Sequence, residues 1–433
     1  MRMPLNLAVA IFHGEYMKCD ADYKYAPLDV PNLRLIQQNW DDIRRKVVGG
    51  LLFKYDIFDG LTPGEHLHFN HAKFETYLKK EGLDKQWPRT KKSKARKLDK
   101  DPWEAMIAAN PELEELHQLY KIVDMDRLNI ACDLDGRNRL LLGAMGAITS
   151  RNTPGKDDRG TYVFSAAKWA RFLIKPPEGW ALAGLDWSAQ ELGINAIRSG
   201  DKNLRRTYES GDPYMEFAIL AGAAPSGATS KTHPEVRKLY KTAMLAIGYG
   251  QEKWGFISKS RVSESVAVRL FKDYRRLYSR YLFWREKQVD NFSVALEMST
   301  KLGWTLHKGV RTEKNTLLNF KGQATGAGML QLAVIEAMRR GVEVCCPVHD
   351  EIVIQAPVGR IEWAVSQTKA AMNYASATLL DGYVLRIGFD DKKDIIRYSD
   401  RFFDKDGEPM WNRISPILDE LKGRDTARSS AAT

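Results

Sequence analysis

Two aspartates stand where a metal-dependent reaction could be built. Asp186 ends the short apolar run 181–185, which predicts a buried strand, and Asp350 lies between the apolar runs 342–348 and 352–354, which predict a β-hairpin with the acid at its tip. Either residue alone is an ordinary turn residue. Two adjacent carboxylates repel each other unless a cation neutralises them, and Mg²⁺ prefers a few carboxylates together with phosphate oxygens. The pair therefore predicts a Mg²⁺ site at strand ends.

A second group of residues follows a four-residue spacing. Arg237, Lys241, Leu245 and Tyr249 form one stripe, about 18 Å long, if this segment is helical, because four-residue steps drift by only ~40° around a helix. The stripe presents two cations and an aromatic ring on one face. A basic, solvated helix face is the competing interpretation.

The start of the same helix carries its own signals. Thr232 and Glu235 have the spacing of a capping box, and Pro234 suits the first helical turn. The positive end of the helix dipole then adds to the cations of the stripe. Together they predict a binding site for an anion the size of a triphosphate.

Net charge favours a polyanionic partner. Lys plus Arg number 66 and Asp plus Glu 55, so the formal net charge is +11. Residues 85–100 hold eight basic residues and one acid, which predicts a solvated surface loop, a flexible clamp on phosphates, or both. Phosphate contacts in this run are predicted for Lys91, Lys92, Lys94, Arg96 and Lys97.

Length, cysteines and hydropathy narrow the class of protein. A chain of 433 residues with 44% hydrophobic side chains predicts two or three lobes, at ~150 residues per domain. The four cysteines form no CxxC pair, which favours a reducing compartment and argues against structural zinc. The longest apolar stretch, 140–148, falls short of the ~18 residues of a membrane span. A soluble, cytoplasmic protein with no membrane partner is expected.

The chemistry-bearing segments resemble, in order and separation, the motifs of the family A DNA polymerases, the bacterial DNA polymerase I type in a phage-like branch. The three principal matches are Asp186-Trp-Ser-Ala-Gln-Glu191-Leu to motif A, Arg237-x3-Lys241-x7-Tyr249-Gly250 to motif B, and Val348-His349-Asp350-Glu351 to motif C. Thr149-Ser-Arg151 resembles the family's Thr-Gly-Arg segment, and Asn319-x3-Gln323 resembles its duplex-contacting Asn and Gln.

The resemblance implies an α+β protein with the right-hand polymerase fold, in which a helical thumb and helical fingers surround an antiparallel palm sheet. The implied divisions are 1–145 for the thumb and the start of the palm, with a basic tip at 82–101, then 146–200 for the palm with motif A, 201–299 for the fingers with motif B, 300–423 for the palm with motif C, and 424–433 for a disordered tail.

The implied reaction is template-directed addition of deoxynucleotides to a primer 3′-OH. By resemblance, Asp186 and Asp350 hold two Mg²⁺ ions, one activating the primer hydroxyl and one neutralising the leaving pyrophosphate. Glu351 and His349 lie beside the primer terminus in the family. Lys241 is a candidate proton donor to the leaving group.

The resemblance also assigns the substrates. Arg237 and Lys241 grip the incoming triphosphate, and Tyr249 closes the floor beneath the new base pair. Contacts to the minor groove, where similarly placed acceptors let donors check pair shape without reading sequence, are assigned to Arg151, Asn319 and Gln323. The implied partners are primer-template DNA and deoxynucleoside triphosphates, bound by a monomer.

Glu191 has two interpretations. Ser188-x-x-Glu191 has the spacing of a capping box for the helix after Asp186. By resemblance, Glu191 instead pairs with Tyr249 and blocks the 2′-hydroxyl of ribonucleotides. Single-subunit phage-type RNA polymerases lack this Glu and usually continue motif C with Ser, so Glu191 and Glu351 favour DNA synthesis.

Some positions depart from the family pattern. Leu245 stands where an aromatic ring commonly packs on the nucleotide sugar, and Tyr214 stands where cellular members often have a phosphate-binding His. A hydroxyl can replace one hydrogen bond but no charge. The chain starts at the thumb, so no 3′-5′ proofreading is expected, and Asp406-Gly-Glu408 is the one Asp-x-Glu to inspect.

Two other functions remain as alternatives. A catalytically silent DNA-binding subunit would keep the basic charge, although it has no use for paired metal ligands. A single-subunit RNA polymerase is the second alternative, disfavoured by Glu191.

Overall fold

A computed structural model describes residues 5–90, 93–125, 127–139, 142–155, 160–260, 262–309 and 312–431. The α-helices of these ranges are α1 (Leu5–Asp22), α2 (Val30–Gln38), α3 (Trp40–Gly49), α4 (His71–Lys80), α5 (Lys100–Ala109), α6 (Leu113–Asp124), α7 (Gln190–Ser199), α8 (Lys202–Glu209), α9 (Pro213–Leu220), α10 (Pro234–Gly248), α11 (Lys253–Ser260), α12 (Glu264–Leu277), α13 (Ser279–Ala295), α14 (Lys314–Arg339), α15 (Ile361–Leu379) and α16 (Glu408–Ala431).

The strands are mostly short. They are β1 (Ala26–Pro27), β2 (Phe58–Asp59), β3 (His68–Phe69), β4 (Arg137–Asn138), β5 (Leu142–Gly143), β6 (Thr153–Pro154), β7 (Trp180–Trp187), β8 (Glu297–Ser299), β9 (Thr305–His307), β10 (Glu343–Val348), β11 (Glu351–Pro357), β12 (Ile387–Gly388) and β13 (Ile395–Arg397). Helices and sheet occur together along the chain, so the predicted α+β class is confirmed.

The described residues form two compact units. Unit 1 draws on Met1–Ala26, Leu140–Lys156 and Pro176–Asp400, and unit 2 draws on Pro27–Arg139, Asp157–Lys175 and Arg401–Thr433. The first helix belongs to unit 1 and lies within 1–145, the division predicted for the thumb and the start of the palm. Helix α1 contacts α14 of the same unit.

The sheet of unit 1 has the strand order β10-β11-β7-β12, and β13 also pairs with β7. Every pairing is antiparallel. The side chains of Ala181, Leu182, Ala183 and Leu185 are fully buried, as expected for a central strand, and the helices α14 and α15 pack on the sheet. The predicted strand before Asp186 and the helix after it are both confirmed.

The long helix α14 lies against α7 at close range. A Cβ at Gly326 would fall 2.5 Å from Gln190 Oε1, and one at Gly322 would fall 2.8 Å from Asn195 Oδ1, so glycine is what permits this approach. Both glycines lie in the interior of α14, which runs from Lys314 to Arg339.

The helices α8 to α13 of unit 1 pack around an aromatic cluster. Phe217 contacts Tyr240, Tyr274 and Tyr278, with ring centroids 4.8–5.7 Å apart. Most rings of the stretch 271–285 are buried and most of its cations are exposed, but Phe283 is exposed and Arg285 is buried, where its Nη1 donates to the Gly248 carbonyl at 2.7 Å.

Unit 2 has its own aromatic core. Trp103 stacks on His117 at a centroid distance of 4.7 Å and meets Trp87 edge-on at 4.8 Å. Helix α16 packs against α2 and α3 in the same unit.

Two local predictions were wrong. The N-cap of α10 is His233, with no side-chain cap hydrogen bond, because the Thr232 hydroxyl is hydrogen-bonded to Thr229 instead. Residues after Gly423 were expected to be disordered, but α16 continues to Ala431. The Arg424–Glu420 ion pair and a run of small residues are compatible with the helix. Residues 432–433 lie outside the described residues.

Among the described residues, no helix combines the length and the apolar character that a membrane crossing requires.

Candidate active site

The two motif aspartates lie at neighbouring strand ends. Strands β10 and β11 pair up to Val348 opposite Glu351, so His349 and Asp350 form the turn of the predicted hairpin, which is confirmed. His349 has φ +57°, the left-handed conformation that a two-residue hairpin turn requires. Strand β11 in turn pairs Glu351 with Asp186 of β7. The register thereby places the Asp350 turn beside the end of the Asp186 strand.

The two carboxyl groups at this edge hold their protons more tightly than free carboxyl groups do. Burial, followed by the charges of Asp350 and Asp394, raises the pKa of Asp186 to about 6. Burial also raises the pKa of Asp350, while the charges of Arg151 and His349 oppose the rise. A cation would therefore stabilise the two ionised carboxylates. Their oxygen atoms are hard donors, which suit Mg²⁺.

The ligand set that the protein can offer is small. Among the described residues, no group of three or more His, Cys, Asp or Glu side chains is arranged to hold a metal ion. Asp186 and Asp350 alone would leave most positions around an ion for substrate oxygens and water, which fits Mg²⁺.

Two glycines make room for the carboxylates. A Cβ at Gly184 would overlap Glu351 Oε1, so the Glu351 side chain lies over the neighbouring strand. A Cβ at Gly388 would fall 2.9 Å from both Asp186 Oδ1 and Ser188 Oγ. Sequence reasoning missed both glycines, because their role depends on which strand each one faces.

Glu191 is engaged in an ion pair. Its Oε1 accepts a hydrogen bond from Arg151 Nη2 at 2.5 Å. The N-cap of α7 is Ala189, in the left-handed conformation and with no side-chain cap, so the capping-box interpretation of Ser188 and Glu191 is wrong. Burial, with the nearby charge of Glu191, raises the pKa of Tyr249 to about 12, and this hydroxyl stays protonated.

The cations of α10 meet an aromatic ring and an acid. Arg237 Cζ lies 5.2 Å and Lys241 Nζ 5.7 Å from the centroid of the Tyr214 ring. Arg237 Nε also donates to Asp212 Oδ2 at 2.6 Å. Asp212 caps α9 through the backbone N–H of Met215. The sequence did not single out Asp212, although Asp before Pro213 is a helix-start signal.

A cavity of ≈ 340 Å³ in unit 1 is lined by many of the residues that the sequence predicted for the site. Those that line it are Arg151, Glu191, Tyr214, Leu245, Tyr249, Asn319, His349 and Asp350. The described lining does not include Asp186, Glu351, Arg237, Lys241 and Gln323.

Residues of α10 and α14 are tied together at this cavity. Asn319 Nδ2 donates to the backbone oxygen of Tyr249 at 3.1 Å and to that of Asn315 at 2.8 Å. Leu245 and Tyr249 keep 39% and 46% of their surface exposed, so the apolar end of the stripe is available to a ligand. Gln323 lies half-buried one turn further along α14.

The basic run of unit 2 separates into different roles. Arg96 is buried, its guanidinium bonds both oxygens of Glu75 at 2.7 and 2.8 Å, and it also donates to the Asp84 and Trp87 carbonyls. The prediction that Arg96 binds DNA is therefore wrong, because this cation is already neutralised inside the protein. Lys94 is exposed and Lys97 half-buried, while Lys91 and Lys92 lie outside the described residues.

The fold and the site define an α+β protein in which paired carboxylates end neighbouring strands of an antiparallel sheet, within the same unit as a cation-bearing helix. The DNA polymerase family A model matches residues 151–384, more than half of the chain, and the chain belongs to this family.

Known proteins share parts of the chain. It is 28% identical over 211 residues to DNA polymerase I, thermostable, of Thermus thermophilus, a match that covers 46% of this chain and 25% of the relative. It is 25% identical over 305 residues to the DNA polymerase of Mycobacterium phage D29, covering 68% of this chain and 49% of the relative. The chain thus spans between a quarter and a half of these two relatives.

A solved structure shares the fold. The POL domain of Pol1 from M. smegmatis, in complex with DNA primer-template and dNTP, superposes with a TM-score of 0.63. The match covers 88% of this chain and 68% of that chain, with 19% sequence identity.

Proposed function

We propose that this chain is a template-directed DNA polymerase, which adds deoxynucleotides to a primer 3′-OH by two-metal nucleotidyl transfer. The observation that carries the proposal is the register that pairs Glu351 with Asp186 and so sets the Asp350 turn beside a second carboxylate. Membership of the family and the names of the relatives support the same reaction.

Asp186 and Asp350 would hold the Mg²⁺ ions. When bound, two such ions supply charge neutralisation at the primer 3′-oxygen and at the leaving pyrophosphate. The protein's own contribution is to present both carboxylates from paired strands, which reduces the freedom of each group before substrate binds. The raised pKa of each carboxyl group supports this assignment, because ionised carboxylates in a partly buried site are costly without a cation.

Arg237 and Lys241 would bind the triphosphate, and Lys241 Nζ is the candidate donor of a proton to the leaving group. The Tyr214 ring lies within 5.7 Å of both cations, so it can hold them on the nucleotide side of α10. Leu245 and Tyr249 would meet the sugar and the new base pair. Their exposure in the cavity supports that role.

Glu191 would exclude ribonucleotides. It lines the cavity between Arg151 and Tyr249, and its pairing with Arg151 holds the carboxylate in one position. The proposed basis is steric, because a carboxylate held where the 2′-hydroxyl would lie leaves no room for that group. This arrangement favours DNA synthesis over the RNA polymerase alternative.

The template and primer would be bound without reading base sequence. Arg151, Asn319 and Gln323 are proposed to reach the minor groove, with Glu351 and His349 beside the primer terminus. Lys94 and Lys97 are proposed to contact phosphates. Unit 1 would supply the palm and fingers and unit 2 the thumb, and the chain would act as a monomer.

We also propose that this chain carries no 3′-5′ proofreading activity of its own. Asp406, the one candidate carboxylate, is paired with Lys168 in unit 2. Degradation of a labelled primer in the absence of nucleotides, lost in Asp406→Ala, would contradict this proposal.

The decisive experiment is extension of a 5′-labelled primer-template with Mg²⁺, comparing four deoxynucleotides with four ribonucleotides. We expect extension with deoxynucleotides only, lost in Asp186→Ala. The matched control is Asp381→Ala, which removes a surface carboxylate paired with Lys301. Tight DNA binding without extension would instead favour the silent subunit.

A further inference from the structure

The loop that carries Arg151 is held by side chains from two distant elements. Residues 147–151 close on themselves through Ser150 N–H to the Ala147 carbonyl at 2.9 Å and Ala147 N–H to the Arg151 carbonyl at 3.0 Å. Trp304 Nε1 donates to the carbonyl of Ile148 at 2.7 Å. The backbone before Arg151 is thus tied at several points.

Ser150 is an unfavourable residue for its place in this loop. Its φ is +58°, a left-handed conformation that residues other than glycine adopt at a cost in free energy. It is 1% exposed, and its hydroxyl has no hydrogen-bond partner within the described part of the chain. Its φ and its unpartnered hydroxyl do not favour this conformation, so a group from elsewhere must stabilise it in addition to the turn bond from its N–H to Ala147.

Gln331 of α14 supplies that group. It is 2% exposed, and its Nε2 donates to the carbonyl oxygen of Ser150 at 2.8 Å. A buried amide that loses its partner is costly, so this hydrogen bond selects strongly against other conformations of the loop. Arg151 is the next residue, and its guanidinium reaches Glu191.

We propose that Gln331 is a positioning residue for the Arg151–Glu191 pair, holding Ser150 in the left-handed conformation that directs Arg151 to Glu191. Gln331 does not line the cavity and acts through the backbone. This inference rests on the proposed function, in which Glu191 rejects ribonucleotides. It adds that sugar discrimination depends on a buried amide outside the site.

The test replaces Gln331 with a side chain of the same length that cannot donate. In Gln331→Met we expect the ratio of kcat/KM for deoxynucleotides to that for ribonucleotides to fall about tenfold, the effect of losing one buried hydrogen bond. The matched control is Gln355→Met, since Gln355 is equally buried and donates to Glu343 on the hairpin. The control should keep the wild-type ratio.

A second substitution separates positioning from packing. Glycine adopts φ +58° without strain, so Ser150→Gly in the Gln331→Met background should restore the ratio towards the wild-type value. A lesion in the packing of α14 would not be rescued by this change. An unchanged ratio in Gln331→Met, or a lowered ratio that Ser150→Gly leaves lowered, would overturn the inference.

Amide hydrogen exchange tests the inference independently of activity. The Ser150 N–H should exchange about tenfold faster in Gln331→Met and recover in the double variant. Unchanged exchange contradicts the inference. Should the wild type fail to extend primers while exchange behaves as expected, the proposed function fails and the positioning role stands. If Gln331→Met does not fold, Trp304→Phe removes the other donor to the same loop and should also speed exchange.

Discussion

Arg237 and Asp212 form an ion pair, with 2.6 Å between Nε and Oδ2, and the Asp212 carboxylate also caps helix α9. One acid therefore anchors both a cation proposed to bind triphosphate and the helix that carries Tyr214. The Tyr214 ring in turn lies near Arg237 and Lys241. These contacts assign the ring face of Tyr214, rather than its hydroxyl, to the positioning of the two cations.

Tyr214→Phe and Tyr214→Leu separate these two roles. The Phe variant keeps the aromatic face, so its KM for deoxynucleotides should stay within about twofold of wild type. The Leu variant loses two cation–π contacts at a half-buried site, which corresponds to an increase in KM of roughly tenfold. Steady-state kinetics with varied deoxynucleotide would measure both. A Phe variant as impaired as the Leu variant would assign the role to the hydroxyl.

Asp350→Ala should abolish primer extension and leave primer-template affinity nearly intact. The carboxylate is proposed to hold the metal ions, and other residues are proposed to contact the DNA. Single-turnover assays would measure extension, and equilibrium binding to a labelled primer-template would measure affinity. Both are measured at the same salt concentration. Normal turnover in this variant would refute the assignment of Asp350.

Leu245→Tyr should increase the use of dideoxynucleotides, because an aromatic ring returns to the position proposed to face the sugar. Leu245 is 39% exposed in the cavity, so the larger side chain has space. Termination patterns on a sequencing gel would measure the effect. Unchanged termination would show that α10 presents a different face to the nucleotide.

Arg96→Ala and Lys94→Ala should affect different properties. Arg96→Ala removes a buried guanidinium that bonds the partly exposed Glu75 and two carbonyls, which should cost roughly 2 kcal/mol of folding free energy in unit 2. Removing exposed Lys94 should leave stability unchanged and reduce the salt dependence of DNA binding by about one phosphate contact. Denaturant unfolding would measure the folding free energy, and DNA binding at several salt concentrations would measure the salt dependence. Destabilisation by Lys94→Ala, but not by Arg96→Ala, would reverse the assignment.

His117 should make the stability of unit 2 sensitive to acid. Burial lowers its pKa from 6.5 to about 4, so the folded protein resists protonation while the unfolded chain takes up a proton. The free energy of unfolding should therefore fall as the pH drops from about 6.5 towards 4, and not above that range. His117→Phe keeps the stack on Trp103 and should remove this part of the pH dependence. Thermal melts from pH 4 to 8 would measure stability in the wild type and in His117→Phe. The same dependence of stability on pH in both proteins would contradict this prediction.

Local sequence was sufficient for the main elements of the site. The apolar run before Asp186, the hairpin around Asp350 and the four-residue stripe of α10 are all patterns within about 15 residues of chain, where periodicity and turn chemistry act directly. The structure places each of them as expected.

Other features required partners that are remote in the chain. In the sequence, Arg96 is indistinguishable from the other cations of the basic run. Its burial became evident only from its bonds to Glu75 and to two backbone carbonyls. Glu191 has the spacing of a cap, but Arg151, 40 residues earlier, bonds its carboxylate instead.

Tertiary structure alone also decided which groups support the site. Gln331 lies 181 residues from the carbonyl that it holds, and nothing in the residues around either one indicates the contact. Side-chain type and spacing were therefore sufficient to predict metal binding by the two aspartates and anion binding by the cations of α10. Which groups are left free for that chemistry, and which are consumed in holding the others in place, was decided by packing, because a hydrogen bond or an ion pair forms only where the fold brings both partners together.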